Sequence, residues 1–173
     1  MITRKVSPGI AAGCTCVLKP AEQTPLSALA LAELARRAGF PKGVINIVTG
    51  MDAPAMGETL CADERVRKIT FTGSTEVGRI LMRQSADTIK KISLELGGNA
   101  PLIVFDDADQ ENALNGITAG IFGASGQSCI AGSRLYLHTK IYEEFLNKLI
   151  EKAKKIKLGG PMNEETQMGP LNS

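Results

Sequence analysis

Apolar residues along the chain follow two periodicities, one typical of strands and one typical of helices. Short β-branched or apolar runs predict strands, and longer segments with apolar residues every three or four positions predict helices. The predicted strands cover residues 14–18, 44–49, 68–72, 92–96, 101–105 and 134–138. The predicted helices cover residues 24–38, 52–62, 76–85, 109–121 and 141–156. This alternation indicates an α/β fold with a largely parallel sheet.

Local signals place the ends and inner faces of these helices. Thr24 is a candidate cap with Pro25 in the first turn, and Asp109 is a candidate cap for the fourth helix. The first helix carries apolar positions at Leu31 and Leu34. The last helix is strongly amphipathic, and we expect its inward side chains to be Leu146, Leu149, Ile150 and Ala153.

Composition and charge exclude few classes of protein and indicate no charged partner. The chain has 173 residues, 43% of them hydrophobic, with a formal net charge of +2. This length allows one or two domains. The dense basic stretch from Lys152 to Lys157 lies at the end of a predicted helix, where lysines offset the helix dipole and face water. We therefore expect no nucleic-acid partner.

The positions of the cysteines and histidine argue against a metal-binding protein, and the short apolar runs argue against a membrane-spanning one. The four cysteines have no regular spacing, and His138 is the single histidine, so no metal site is expected. Cys14 and Cys16 lie in a strand-like run, which favours a structural thiol pair. No run approaches the ~18 apolar residues of a membrane span. The expected location is therefore the reducing cytoplasm, without a membrane partner.

A glycine turn between a strand and a helix, Phe71–Gly78, is the first candidate for ligand binding. Missing side chains would let phosphate oxygens approach, and Ser74 and the helix amides would donate hydrogen bonds to them. The turn lacks the three glycines of the usual dinucleotide fingerprint, and such glycines often have only packing reasons. Taken alone, the motif leaves both interpretations open.

Glu95 and Cys129 are the candidate catalytic residues. A carboxylate within Leu94–Leu96 is costly to bury unless it is paired or protonated, although it could also lie on the exposed face of an edge strand. An isolated cysteine is more often a small buried apolar residue than a nucleophile. The polar, glycine-flanked surroundings of Cys129 favour reactivity. Together the two residues suggest a nucleophile and a base for acyl chemistry.

Five segments in order make the chain resemble the aldehyde dehydrogenase superfamily along essentially its whole length. Lys19–Pro25 resembles the family's adenosine-ribose segment, and Phe71–Gly78 its pyrophosphate segment. Leu94–Gly98 resembles the glutamate loop, Gly126–Cys129 the nucleophile loop, and Thr166–Leu171 a segment downstream of the cysteine. The resemblance implies a Rossmann-like fold, with residues 1–97 forming part of a dinucleotide-binding domain and residues 98–173 part of a catalytic domain.

The same resemblance implies a reaction and a role for each catalytic residue. Cys129 would attack an aldehyde as the thiolate, hydride would leave for a nicotinamide, and a thioester would remain. Water activated by Glu95 would then hydrolyse the thioester to a carboxylate. The implied partner is thus a small-molecule aldehyde, and the full-length family implies a homo-oligomer.

The resemblance also implies which residues hold the cofactor. Lys19 and Glu22 would bind the adenosine ribose, and the Glu22 carboxylate disfavours a 2′-phosphate, so NAD is expected and NADP remains possible. The pyrophosphate would lie against Gly73, Ser74 and Val77. Gly97 would let the backbone pass close to the nicotinamide.

The chain departs from the family pattern by lacking several segments. These are an N-terminal Trp-Asn segment with the second oxyanion donor, a Glu-x-Phe-Gly-Pro segment, and the strand that bridges subunits. We therefore expect a central fragment that is inactive alone, because losing one oxyanion donor costs about 10²–10³ in rate. Asn99 replaces a lysine found in many members and indicates no substrate by itself.

Two other classes of function remain open at the sequence level. One is a thiol hydrolase or acyltransferase that pairs Cys129 with His138, although no third orienting group stands out. The other is a non-catalytic nucleotide-binding module built from a dehydrogenase. Ester hydrolysis without nicotinamide would favour the first, and NAD binding without a thioester on Cys129 would favour the second.

Overall fold

The structure, a computed structural model, describes residues 1–171 and confirms the predicted α/β class. Its helices are α1 Ile2–Ala11, α2 Leu26–Arg37, α3 Ala53–Ala62, α4 Thr75–Ala86, α5 Gln110–Phe122 and α6 Tyr142–Lys154. Its strands are β1 Cys16–Leu18, β2 Ile45–Ile47, β3 Lys68–Gly73, β4 Lys91–Leu96, β5 Ala100–Val104 and β6 Gly132–Leu137. The chain divides into two compact units, Met1–Glu95 and the part that begins at Leu96.

The first unit contains strand pairs that are each connected through a helix. β1 and β2 run parallel, with Cys16 opposite Ile45 and Leu18 opposite Ile47, and α2 lies between them in the chain. β3 pairs with β4, and α4 connects them. Parallel strands such as β1 and β2 need such a crossover, because a tight turn would reverse the chain direction. The described residues therefore form short strand pairs where the sequence suggested one broader sheet.

Helices α3 and α4 of the first unit meet through small side chains. Cys61 is 1% exposed and Ser85 is 3% exposed. The Ser85 hydroxyl donates to the Cys61 sulfur over 3.5 Å, and the hydroxyl of Thr88 donates to the Cys61 carbonyl. A buried hydroxyl is costly unless it is hydrogen-bonded, so this contact satisfies Ser85 while the two helices pack closely.

The second unit packs α5 and α6 beside the parallel pair β5 and β6. The register of the pair shifts between Ala100 and Pro101, which lie opposite Gly132 and Arg134. An apolar core joins strand and helices; its buried members are Val104, Ile117, Ile141, Phe145 and Leu149. Leu135 and Leu137 of β6 pack against this core, and the loop that precedes β6 carries Cys129.

Several sequence expectations about helices are wrong in detail. α1 was not predicted, and it accommodates Pro8 within its length. α2 begins at Leu26 with Pro25 in the cap position and no side-chain cap, so Thr24 does not cap it. In α6, Ile150 is 41% exposed and Phe145 is 1% exposed. The buried stripe follows positions four apart, Ile141, Phe145 and Leu149, and Ile150 lies one step around the helix from it.

Candidate active site

Cys129 lies in the loop between α5 and β6 and is exposed. A short 3-10 turn, Gly123–Gly126, follows α5 and leads into this loop. The Ala131 N–H donates to the carbonyl of Ser128 over 3.0 Å, which folds the chain tightly around the cysteine. The structure therefore places Cys129 in a surface loop, and its thiol is not part of the buried core of the second unit.

The turn that precedes Cys129 holds its backbone in an unfavourable conformation. Ala124 and Ser125 have φ of 51° and 56°, and Gly126 has φ of 74°. Left-handed backbone suits glycine but costs about 1–2 kcal/mol for other residues. Two adjacent non-glycine residues in this region need external restraints, and such strain concentrates at functional sites.

Gly98 and Asn99 brace the cysteine loop from the other side within the second unit. A Cβ placed on Gly98 would lie 3.5 Å from the carbonyl oxygen of Cys129. The guanidinium of Arg134 donates two hydrogen bonds to the Asn99 carbonyl, over 3.2 and 2.8 Å. The Ser133 hydroxyl donates to the Asn99 side-chain oxygen over 3.0 Å. The start of β6 thus fixes the segment that runs past Cys129.

Sequence reasoning did not assign these bracing roles. Ser133 and Arg134 were visible only as the end of the cysteine motif, and Asn99 only as a departure from a family pattern. Their contacts join residues 34 and 35 positions apart. The one local signal was that two polar residues, Ser133 and Arg134, stand at the start of β6, a strand that is otherwise apolar.

Glu95 lies on β4, where burial alternates along the strand. Leu94 and Leu96 are partly buried, and Glu95 between them is exposed. Successive side chains of a strand point to opposite faces, so the apolar neighbours fix the direction of the carboxylate. Of the two sequence alternatives, the structure shows the exposed one. Water has access to the carboxylate in this position.

Lys19 and Glu22 form a charged pair beside an apolar groove in the first unit. The Lys19 Nζ lies 2.8 Å from the Glu22 Oε2. The hydrogen bond from the ammonium lowers the pKa of the Glu22 carboxyl from its ordinary value. Lys19 also lines a cavity of about 300 Å³ together with Val17, Val48, Met56 and Leu60. An apolar cavity beside a polar pair suits a ligand with a flat base and hydroxyl groups.

The glycine turn at β3 opens α4 with a side-chain cap. The Ser74 hydroxyl accepts a hydrogen bond from the N–H of Val77 over 3.2 Å, and Glu76 occupies the first turn. The earliest amides of a helix have no partner inside it, and they attract anions. Gly73 has a packing reason, because a Cβ there would lie 2.4 Å from the ring of Phe71.

Gly97 lies in the second unit with open space over its Cα. A Cβ added there would meet no atom within 4 Å among the residues described. The absence of contacts leaves room for a flat group to approach the backbone closely. Gly97 thus differs from Gly73, whose missing side chain is explained by a neighbouring ring.

His138 lies at the opposite end of β6 from the cysteine loop. Its Nδ1 accepts a hydrogen bond from the Lys140 N–H over 3.3 Å and lies 4.0 Å from the Asp106 carboxylate. Six residues of strand, Gly132–Leu137, separate the two ends. At the usual rise of a strand this is roughly 16 Å or more. The separation argues against a catalytic pair of Cys129 and His138.

Between residues 1 and 171, no group of three or more His, Cys, Asp or Glu side chains is arranged to hold a metal ion. Over the same span, no helix is both long and apolar enough to cross a membrane.

The fold and these loops define an α/β protein with a ligand-sized groove near strand ends and an exposed thiol. The chain belongs to the aldehyde dehydrogenase family, whose family model matches residues 1–173.

Curated relatives and solved structures agree with this assignment. The chain is 56% identical over 171 residues to succinate-semialdehyde dehydrogenase [NADP(+)] of Escherichia coli, and 53% identical to glutarate-semialdehyde dehydrogenase of Pseudomonas putida. Each alignment covers 99% of this chain but only 35% of the relative's length. A crystal structure of an E. coli NADP-dependent enzyme matches with a TM-score of 0.97 and 55% identity, over 99% of this chain and 35% of that one.

The family includes proteins that use either nicotinamide cofactor. Betaine aldehyde dehydrogenase of Staphylococcus aureus, solved in complex with NAD⁺, matches with a TM-score of 0.93 and 41% identity, over 98% of this chain and 33% of that one. The E. coli relatives are described as NADP-dependent. Both NAD and NADP therefore fit what is known of the relatives.

Proposed function

We propose that these residues supply the cofactor-binding and nucleophile segments of an NAD(P)-dependent aldehyde dehydrogenase that oxidises an aldehyde to a carboxylate. The observation that carries the proposal is the exposed thiol of Cys129 in a braced, strained loop. Family membership supports the reaction class. Residues 1–97 would be part of the dinucleotide-binding domain, and residues 98–173 part of the catalytic domain.

Cys129 acts first in the proposed reaction. Its thiolate forms a bond to the aldehyde carbon, and the carbonyl oxygen becomes an alkoxide in a thiohemiacetal. The backbone N–H of Cys129 is one donor that stabilises this developing charge. Lys19, Glu22 and the first turn of α4 would hold NAD(P)⁺, which would supply the hydride acceptor for this carbon, so that the Cys129 sulfur would carry a thioester.

Glu95 acts in the second half of the proposed reaction. Its carboxylate accepts a proton from water while the water oxygen attacks the thioester carbon. The C–S bond then breaks, and the products are a carboxylate and the free thiol of Cys129. Exposure leaves the carboxylate accessible to water, and the role itself is supported by the family to which the chain belongs.

The first unit contains the residues proposed to hold the cofactor. The apolar groove next to Lys19 fits an adenine base, and Lys19 and Glu22 would take the ribose hydroxyls. The first amides of α4, with Gly73, Ser74 and Val77, would take the pyrophosphate. Gly97, in the second unit, would allow close approach of the nicotinamide.

The charge of Glu22 favours NAD over NADP in this proposal. The Glu22 carboxylate is ionised at neutral pH, and the hydrogen bond from Lys19 lowers its pKa further. A 2′-phosphate on the adenosine ribose would bring a second negative charge next to it. Lys19 offsets part of this repulsion, so the binding of NADP is weakened but not excluded.

The substrate class follows from the relatives that the chain resembles at about half of its positions. Relatives that are 53–56% identical are named as succinate- or glutarate-semialdehyde dehydrogenases. We propose a short aldehyde with a distal carboxylate as the substrate. Succinate semialdehyde compared with butyraldehyde, which lacks that carboxylate, tests the point. An equal kcat/KM for the two would contradict it.

The assigned roles are tested in a longer form of the protein that contains these residues and oxidises an aldehyde, by following the absorbance of the reduced cofactor. We expect Cys129→Ala to lower turnover at least about 10⁴-fold and Glu95→Gln to lower it about 10²–10⁴-fold. Cys14→Ala and Glu58→Gln are matched controls at exposed positions, and both should retain turnover. Full activity of Cys129→Ala would contradict the proposal.

The same assay tests whether the 173 residues are sufficient for turnover. The chain spans about a third of the length of its curated relatives, and we propose that it lacks turnover by itself. Assays of the chain and of a longer form that contains it decide this. Reduced cofactor formed by the 173-residue chain alone would contradict it.

The proposed setting is a homo-oligomer in a reducing compartment. All four cysteines are free, which suits the cytoplasm. The proposal includes no nucleic-acid or membrane partner. Light scattering of the purified protein tests the oligomeric state.

A further inference from the structure

A hydrogen bond links the turn before Cys129 to a segment far along the chain. The hydroxyl of Ser125 donates to the carbonyl oxygen of Gly169 over 3.0 Å, across 44 residues. Ser125 is partly buried, and so is Gly169. The bond is therefore better shielded from water than a hydrogen bond on the open surface.

The segment that accepts this bond follows α6 and is folded back onto itself. We call residues 157–169 the clasp. Leu158 and Met168 form a β-bridge, and the Gly159 N–H donates to the Met168 carbonyl over 3.2 Å. The Thr166 hydroxyl closes the clasp by donating to the Gly160 carbonyl over 2.9 Å. The clasp thus offers a fixed acceptor for Ser125.

Ser125 needs such an anchor because of its backbone conformation. It and Ala124 are consecutive non-glycine residues with positive φ. Inside the loop, one hydrogen bond from the Gln127 N–H to the Ala124 carbonyl spans the turn. A strained turn persists when surrounding structure holds it, and the clasp contact is a long-range restraint on it.

We propose that Ser125 is a positioning residue that fixes the Cys129 loop by anchoring its strained turn to the clasp. The inference rests on the proposed function, since it assigns a purpose to the position of Cys129. Ser125 lies four positions before Cys129, so a change in the turn moves the thiol directly. The clasp then affects the position of the Cys129 thiol indirectly, through Ser125.

Hydrogen exchange measures this anchoring without any need for activity. In Ser125→Ala, the turn keeps a residue of similar backbone preference but loses the bond to Gly169. Exchange of the Gln127 and Ala131 amides should rise about two- to tenfold relative to α6, as expected for loss of one hydrogen bond. Ser27→Ala, at an exposed serine of α2, should change neither. Unchanged exchange rates of the Gln127 and Ala131 amides in Ser125→Ala would overturn the proposal.

A second variant perturbs the clasp without touching the loop. Thr166→Val removes the hydroxyl that donates to Gly160 while keeping the shape of the side chain. It should also raise exchange in the loop, and the effect should vanish when Ser125 is already alanine. Additive effects of the two substitutions would overturn the coupling. Expressing the rates relative to α6 separates loop opening from a general loss of stability.

Kinetics in an aldehyde-oxidising form of the protein give the functional result. Ser125→Ala should lower kcat several-fold and leave the KM for the cofactor unchanged, because the groove at Lys19 is not altered. An unchanged kcat would overturn the positioning role. If Cys129→Ala is active, the proposed function fails instead, so the two failures are distinguishable.

Discussion

Glu22 is the single residue whose charge most affects the proposed choice of cofactor. Glu22→Gln keeps the shape of the side chain and removes the charge. We expect the ratio of the Kd for NADP⁺ to that for NAD⁺ to fall about five- to tenfold, the size of one weakly screened repulsion. Calorimetric titration with each cofactor measures the ratio.

The matched control for Glu22 is Glu33→Gln. Glu33 also forms ion pairs, but its partners are Arg36 and Arg37 on α2, whereas Glu22 pairs with Lys19, which lines the groove. In Glu33→Gln, the ratio of the Kd for NADP⁺ to the Kd for NAD⁺ should not change. A Glu22→Gln protein that binds NADP⁺ no better relative to NAD⁺ would contradict the assigned role.

Ile89 stores strain in the first unit without the burial that would offset it. Its φ is 51°, and its side chain is 90% exposed. Ile89→Gly should raise the free energy of unfolding by about 0.5–1 kcal/mol, since relief of left-handed strain outweighs the added freedom of the unfolded chain. Urea denaturation measures the change.

The control for Ile89 has the opposite sign. Ala30→Gly, at an exposed site in the middle of α2, should lower the free energy of unfolding by about 1 kcal/mol. A destabilising Ile89→Gly would show that the isoleucine makes contacts that offset its backbone cost.

For single residues, the sequence indicated which side chains could carry chemistry, and the roles of Cys129 and Glu95 stay predictions. The structure adds that the Cys129 thiol is exposed. The roles of Ser125 and Asn99 were not predicted, because each depends on a partner more than thirty residues away. A hydroxyl in a loop gives no indication of which distant carbonyl it will contact.

At the level of elements, Asp109 sets the start of α5. Its carboxylate accepts a hydrogen bond from the Asn112 N–H over 3.0 Å, which confirms the predicted cap. Asp109→Ala should cost about 1 kcal/mol of stability, and Asp109→Asn much less, since Asn also caps well. Thermal or urea unfolding measures both. Asp107→Ala, on the preceding exposed turn, should stay within about 0.5 kcal/mol of the wild type.

An uncapped α5 would also affect the site, because the Cys129 loop follows the other end of this helix. If Asp109→Ala had no effect on stability, the cap would be redundant with the packing of Ile117 in the core.

A clear capping side chain marks three of the predicted helices, and α1, the helix that was not predicted, has none. α3, α4 and α5 each begin after a side chain that caps the helix, Asp52, Ser74 and Asp109. α1 has no side-chain cap and contains Pro8, which disfavours the middle of a helix. The prediction of the inner face of α6 was half right. Periodicity identifies that the helix has an apolar stripe, but not which residues lie at the centre of the buried face.

For the whole molecule, the order of strands and helices was predictable, and the pairing of strands was less so. Local patterns define elements, but sheet pairing depends on contacts distant in sequence. The structure adds what the sequence could not supply, namely the clasp, the Asn99 brace and the groove beside Lys19. The tie between Glu95 and Cys129 in one reaction stays a proposal, carried by their motifs and by family membership.

Mass spectrometry of the Glu95→Gln protein after exposure to aldehyde and NAD⁺ tests the central claim most directly. The form used is one whose wild-type sequence reduces NAD⁺. We predict an acyl group in thioester linkage on the peptide that contains Cys129, formed only when both aldehyde and NAD⁺ are present. An acyl group on Cys14, Cys16 or Cys61 instead, or reduction of NAD⁺ with Cys129 unmodified, would contradict the account.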